Sequence, residues 1–236
     1  MHRIFISDLH LEEEKTFLTD AFVSFLRNEA SDCDELYILG DLFNYWIGDR
    51  EASDFHLEIA GYLSDLGAKK YFIQGNRDFL VGRRFCRKCG MELLSDETVI
   101  RSETDSILLC HGDSLCTLDA GYQKFRRFRL NPVNRFIYSL LPAAIKRKLA
   151  EKVRNDALTD KSSKTEEMMD IVEQDLEKLM KKTNCGICIH GHTHKPGIHE
   201  NREKGIVRYV LGDWRSDGFE YLEETDGKRQ LVKKDL

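Results

Sequence analysis

Short clusters of potential metal donors recur along the chain, each where a β-rich run stops: Asp8-Leu9-His10, Gly40-Asp41, Gly75-Asn76-Arg77-Asp78, His111-Gly112-Asp113, and His192-Thr193-His194 directly after His190-Gly191. Any single cluster carries little, because an Asp-X-His or Gly-Asp pair arises often by chance in 236 residues. The ordered set is a strong constraint. It calls for a fold that gathers strand ends from distant parts of the chain at one point, and α/β sheets do this at their carboxyl edges.

The candidate strands are Arg3 to Ser7, Glu35 to Leu39, Lys70 to Gln74, Ser106 to Cys110, Gly186 to Ile189 and Val207 to Leu211. They alternate with helical segments, which predicts an α/β architecture. The first five are each followed at once by a candidate donor. With three prolines, no Gly/Ser linker and no internal repeat, nothing marks a boundary between independent domains.

A membrane-spanning segment is not expected. The longest mostly apolar stretch, Phe136 to Ile145, is far short of the roughly twenty residues a spanning helix needs, and the amino terminus runs directly into a strand rather than a leader. The expected compartment is the cytoplasm. Seven cysteines, an odd number, then fit reduced thiols better than a disulfide framework. Cys86 with Cys89 and Cys185 with Cys188 form two C-x-x-C pairs, but they lie far apart and Cys188 falls in an apolar strand, so small buried side chains are expected rather than structural zinc.

The segment from about 122 to 182 differs in composition and reads as a helical cap inserted into a core of 1–121 and 183–236. Between Gln123 and Asn155 there are ten Lys or Arg and one acid, Glu151, a local charge of +9 that leaves −14 for the rest of a chain whose net charge is −5. Basic residues alternate there with Phe125, Phe128, Phe136, Ile137, Leu140 and Leu141, and Ile145, Leu149 and Val153 follow at four-residue spacing, the pattern of an amphipathic basic helix pair. Three readings compete: a helical hairpin packed on its own core, an anionic lipid surface, and a phosphate backbone. The last lacks a stacking platform. A further helix is expected from Ser163, whose Ser-x-x-Glu pattern with Glu166 is a capping box, with Met168, Val172, Leu176 and Leu179 on its buried face. Lys164 in its first turn would add charge where free N–H groups already favour an anion.

Mixed carboxylate, imidazole and amide donors suit borderline divalent ions such as Mn²⁺, Fe²⁺ or Zn²⁺. Two such ions about 3.5–4 Å apart can trap a bridging hydroxide and clamp the attacking and leaving oxygens of an in-line displacement. Hydrolysis at phosphorus is the reaction such a site serves, and Asp41 is the natural bridging carboxylate.

The order Asp-X-His, Gly-Asp, Gly-Asn-x-Asp, His and Gly-His-X-His resembles the calcineurin-like metallophosphoesterases over nearly the whole chain. The resemblance implies an αββα sandwich of two mixed sheets with a helical cap over the active site. It implies one metal on Asp8, His10, Asp41 and His194 and a second on Asp41, Asn76, His111 and His192, with catalysis resting on Asp41, Arg77, His111 and His192. His190 and His199 match no ligand position and read as structural. Many members carry His where this chain has Arg77. An arginine cannot protonate a leaving alkoxide, but a phosphate monoester, with a second pKa near about 6, departs as an anion, and a guanidinium can neutralise the transferred group. That favours a pyrophosphate bond. Trp46-Ile47-Gly48-Asp49, Asp119-Ala120-Gly121-Tyr122-Gln123 and Ile189 to Pro196 look like the branch of the family that cleaves a UDP-linked diacylglucosamine in lipid A biosynthesis.

This resemblance implies Mn²⁺, peripheral attachment at the cytoplasmic face of the inner membrane, attack by water at the uridine-side phosphorus, and substrate contacts at Asn76, Arg77, Asp119, Lys164 and His192. Ala157 and Lys161 depart from the pattern, the first losing a hydrogen-bonding group and the second offering an extra phosphate contact. The acyl chains are expected among Phe128, Phe136, Ile137, Leu140 and Leu141. A monomer without a nucleic-acid partner is expected. A phosphodiesterase acting on nucleotides or nucleic acid would use the same metals but sits poorly with Arg77. A non-catalytic binding module of the same fold would be expected to lose donors, and all seven are present.

Overall fold

The central strands are buried on both faces, which is why they read as near-continuous apolar runs rather than alternating ones. In the computed structural model, which describes residues 1–101, 105–161, 165 and 167–236 with the backbone alone for 154–161, strand β1 (His2–Ile6) sends Ile4 and Ile6 to one buried cluster and Phe5 to another. Strand β2 (Glu35–Ile38) does the same with Leu36 and Ile38 against Tyr37. Successive side chains of a strand point to opposite faces, so two clusters per strand mean a layer on each side. The cluster common to both sheets, which includes Phe5, Tyr37, Ile107, Leu109, Ile189 and Leu222, is the layer between them.

The first sheet runs β11 (Lys228–Asp235), β10 (Gly218–Thr225), β1, β2, β3 (Lys69–Phe72) and β4 (Met91–Leu93). β1 to β4 are parallel, and β10 and β11 close one edge antiparallel. The second runs β5 (Glu97–Arg101), β6 (Ser106–Cys110), β7 (Ile187–His190), β9 (Ile206–Val210) and β8 (Gly197–Asn201). Its central three strands are parallel and its edges antiparallel. Helices α1 (Thr16–Asn28), α2 (Asp54–Asp65) and α3 (Arg83–Lys88) cover the outside of the first sheet through Phe22, Phe25, Ile59, Leu63 and Phe85. The result is an αββα sandwich of the α/β class.

Three further helices, α4 (Ala120–Leu130), α5 (Pro132–Ser139) and α6 (Ala143–Lys161), follow β6. The expected helix pair is three helices because Asn131 stops α4 and caps α5, accepting from the N–H of Val133 at 2.9 Å, with Pro132 at the first helical position. Among the described side chains of these helices the buried ones are Arg129 and Lys146, and none is apolar. A hairpin packed on its own core is therefore not what forms. Asp113 instead accepts from the Tyr122 hydroxyl at 2.6 Å, from Arg126 at 2.9 Å and from Arg129 at 2.8 Å, while Lys146 meets Glu51 at 2.7 Å.

Of the helix expected from Ser163 to carry Met168, Val172, Leu176 and Leu179, the described residues 165 and 167–172 are not helical, and α7 runs Glu173–Thr183. Val172 is extended and its N–H bonds the Leu115 carbonyl at 2.9 Å, which ties the chain to the core before a helix can start. Ser163, Lys164 and Glu166 lie outside the described residues. Although α7 falls in the range assigned from sequence to the cap, it packs Leu176, Leu179 and Met180 onto the second sheet beside Leu108, Cys110 and Cys188, forming the outer helical layer there. Cys86 and Cys89 belong to the first-sheet cluster and Cys185 and Cys188 to this one, so the four thiols do not converge. Among the described residues no helix is long and apolar enough to cross a membrane.

Phe25 is fully buried with ring centroids 5.4, 5.8 and 5.5 Å from Trp214, Phe219 and Tyr221. Phe25→Ala should cost about 3–5 kcal/mol of stability, read from the midpoint of chemical denaturation.

Candidate active site

Parallel register puts the strand ends level. Ile6 pairs with Ile38 and Ile38 with Phe72, while Leu109 pairs with Ile189 and His190 with Val210. The residues after these ends therefore meet along one rim. There the chain turns within one or two residues, and Asp8, His10, Asp41, His192 and His194 all take left-handed backbone conformations, with φ of 57°, 51°, 52°, 69° and 54°. Such a residue costs about 1–2 kcal/mol relative to a right-handed one, and clusters of them mark functional sites. The turns are held by Asp8 N–H to Gly40 O at 3.1 Å, His10 N–H to Asp41 O at 3.0 Å and Gly191 N–H to His111 O at 2.9 Å. Asp78, fully buried, accepts from the N–H groups of Leu42 and Gly75 at 2.8 Å each and of Asp41 at 3.3 Å. Gly75 packs so closely on Asp41 that a Cβ there would overlap its carboxylate.

All seven sequence-predicted donors come together. Asp8, His10 and His194 present ligand atoms within 4.8 Å of one another, and so do Asp8, Asp41 and His111. Asn76 Oδ1 stands 3.0 Å from His111 Nε2 and 2.8 Å from His192 Nδ1. Whether these donors fit metal can be judged from their mutual approach. His111 Nδ1 lies 2.8 Å from the Leu39 carbonyl, to which it donates, so its Nε2 lone pair points at another acceptor. His10 and His194 bring ring nitrogens to 3.4 Å. His10 Nδ1 is buried without a hydrogen-bond partner, 3.9 Å from Asp41 Oδ2. Acceptors facing acceptors at such separations need a proton or a cation between them, and donors sharing one ion at about 2.0–2.2 Å each have this spacing. The set fits two divalent ions, with Asp8 belonging to both groups.

Without metal, protons and the surrounding charges take up part of this repulsion. Burial lowers the His194 pKa, but hydrogen bonds to Asp213 and Asp8 outweigh it and raise the ring to about 9. Burial takes His192 down to about 4, helped by the neighbouring His111. Asp8 is held well below the usual carboxylate range because His194, His111 and His10 overcome the burial that opposes them. Burial and the nearby Asp41 push Asp78 up to about 7.

The remaining predicted residues divide. Arg77 reaches the rim, its N–H bonding Asp41 Oδ1 at 2.8 Å and its Nε lying 3.8 Å from Asp41 Oδ2. Asp119 caps α4 by accepting from Tyr122 N–H at 2.9 Å. Lys164 and the side chains of Ala157 and Lys161 lie outside the described residues. His190 is buried beneath the rim, bonded to the Gly191 carbonyl at 2.8 Å, and His199 lies on β8 away from it. Sequence reasoning missed Asp78 as a backbone clamp, Asp213 as the partner of His194 at 3.3 Å, and Asn44, which accepts from Arg77 Nη1 at 2.8 Å. Asp213 was legible: Gly212-Asp213 follows the sixth strand run as the other donors follow theirs.

A cavity of about 550 Å³ opens between α4–α6 and the segment after Arg77. Phe79, Leu80, Phe125, Phe128, Leu149 and Val153 line it, together with Asn76 and Arg77. Phe136, Ile137 and Leu140, expected beside Phe128, do not line the cavity and, like Phe128 itself, are more than half exposed; α5 contributes Asn134, Arg135 and Tyr138 to the lining instead.

The calcineurin-like phosphoesterase family model matches residues 1–196. A protein of Ectopseudomonas mendocina (strain ymp) named UDP-2,3-diacylglucosamine hydrolase is 44% identical over 232 residues, 96% of this chain and 96% of its own length. One of Aliivibrio fischeri (strain MJ11) with the same name is 40% identical over 238 residues, covering 99% and 98%. Among solved structures, an archaeal phosphodiesterase superposes with a TM-score of 0.53 at 13% identity over the full length of both chains, a likeness of fold.

In metal-free protein His194 should keep its proton through neutral pH and lose it as pH rises through about 9, seen as an NMR titration. Asp213→Ala should lower that pKa and weaken metal binding about 10–100-fold, measured by calorimetry at pH 7.

Proposed function

Given that the chain belongs to the calcineurin-like phosphoesterase family and is a metal-dependent phosphohydrolase, we propose that it hydrolyses the pyrophosphate bond of UDP-2,3-diacylglucosamine to UMP and 2,3-diacylglucosamine 1-phosphate, a step of lipid A biosynthesis. The observation that carries this reading is the apolar cavity whose lining runs on to Asn76 and Arg77 beside the clustered donors. A lipid-linked nucleotide needs such an arrangement, with a place for acyl chains next to a place for phosphates. Each methylene buried there contributes about 0.8 kcal/mol, and binding energy of this kind can hold a headgroup in reacting position.

Two divalent ions, Mn²⁺ on the family resemblance and within the range that mixed nitrogen and oxygen donors accept, would supply an activated water and charge neutralisation at phosphorus. Asp8, His10, Asp41, Asn76, His111, His192 and His194 would hold them. The protein's own contribution is positional and electrostatic. Arg77, in reach of the rim, neutralises charge on the phosphoryl group. Asn76, Arg77, Asp119, Lys161, Lys164 and His192 are the proposed substrate contacts. Water attacks the uridine-side phosphorus and the lipid phosphate leaves as an anion, which needs no proton from the enzyme and suits a site with arginine after Asn76.

The exposed Val133, Phe136 and Ile137 of α5 and Leu140 just after it, set in the most basic part of the chain, support peripheral attachment to an anionic bilayer, the cytoplasmic face of the inner membrane. Apolar insertion and charge attraction together give reversible binding of this kind.

With Mn²⁺ and the diacyl substrate, the protein should release UMP, Asp41→Ala should abolish turnover and Arg77→Ala should lower it about 100-fold. Absence of UMP from the intact enzyme would sink the assignment. In ¹⁸O-water the label should enter UMP. Phe136→Asp with Leu140→Asp should reduce sedimentation with anionic vesicles while leaving turnover in detergent within about twofold, since neither residue lines the cavity.

A further inference from the structure

Arg77 belongs to no strand or helix, and its side chain is 38% exposed. A guanidinium so placed has many rotamers, and the rate it contributes depends on its being held where charge develops. Its Nη1 donates to Asn44 Oδ1 at 2.8 Å. Asn44 is itself 8% exposed and held on three sides. Its N–H bonds the Leu11 carbonyl at 3.1 Å, its Nδ2 donates to Glu12 Oε2 at 2.6 Å, and the residue before it, Phe43, forms a parallel bridge with Leu11. A carboxylate only accepts, so Glu12 fixes which end of the Asn44 amide is nitrogen and turns the carbonyl oxygen toward Arg77. Glu12 is in turn paired with Lys15, and Lys15, Asn44 and Arg77 all line the cavity.

The chain of contacts has a direction, from carboxylate through amide to guanidinium, and its last member is by far the most exposed. Asn44 sits three residues after Asp41 in the same loop, so the acceptor that holds Arg77 is fixed to the backbone that positions a metal donor. An amide oxygen holds a guanidinium without cancelling its charge, which leaves that charge for a phosphate. We infer that Asn44, oriented by Glu12, is the positioning residue that holds the Arg77 guanidinium at the rim of the cavity. The inference rests on the role proposed above for Arg77.

The test is a mutant cycle in the full-length Mn²⁺-loaded protein, with UMP release from the diacyl substrate as the assay and melting temperature and metal content as controls. Asn44→Leu keeps the volume and removes the acceptor. It should lower kcat about tenfold, the worth of one hydrogen bond to a charged group, and leave KM within about twofold because the contact matters most in the transition state. Added to Arg77→Ala it should cause no further loss. Glu12→Ala leaves the amide at 44 and removes only the carboxylate that orients it, and should lower kcat about threefold with KM unchanged. Full activity of Asn44→Leu, losses that multiply in the double variant, or an unchanged kcat in Glu12→Ala would each overturn the positioning role while leaving Arg77's own role intact. Full activity of Arg77→Ala would overturn both.

Discussion

Seven side chains rich in lone pairs and negative charge are crowded into a few ångströms, and by themselves they repel. Everything around them acts to keep them there. Five of the seven occupy left-handed backbone positions, at a cost of several kcal/mol in sum, and the surrounding structure over-determines those turns. Asp78 clamps two loops through their N–H groups, Gly75 gives way to Asp41, and level parallel strands deliver every donor to the same rim. The sandwich core supplies the rigidity. Its central layer of Phe5, Tyr37, Leu109 and Ile189 locks the two sheets together directly beneath the rim.

Most of this was legible in the chain, and the gaps have physical causes. The six strands read from sequence all exist, within a residue or two of the expected bounds, because strands covered on both sides are apolar throughout. Apart from β10, which lies inside its sheet, the strands missed are edge strands or short ones. β8 is largely exposed and carries His199 and Glu200, and β4 has three residues. The β10–β11 hairpin was open to reading: Asp226 and Gly227 at φ of 49° and 80° form the two-residue turn that an Asp-Gly pair between alternating segments announces. The metal-type donors were visible because they come as short motifs. Asn44 was not, since it acts through one hydrogen bond and belongs to no pattern.

The basic segment shows where composition stops being informative. Its charge was plain, but charge does not say which apolar residues face inward. Phe128 and Phe136 look equivalent in a list, and both are more than half exposed, but Phe128 lines the cavity and Phe136 does not. What decides is the break at Asn131-Pro132 and the absence of an apolar core among the described side chains of α4–α6. These helices are fastened by buried cations, Arg129 and Lys146, whose partners lie in the sandwich.

Arg129 and His111 have an unusual relation. His111 turns toward the metal donors, and two residues on Asp113 turns the other way to anchor α4. One strand end thus spaces the clustered donors from the helices that wall the cavity, and its length is two peptide units. Arg129 also donates to the Asn76 carbonyl at 3.1 Å, so α4 is tied to the donor loop a second time. A shift of α4 is therefore felt at both ends of that tie, whereas the exposed side chains of α5 can change with the junction at Gly112 and the donors left in place.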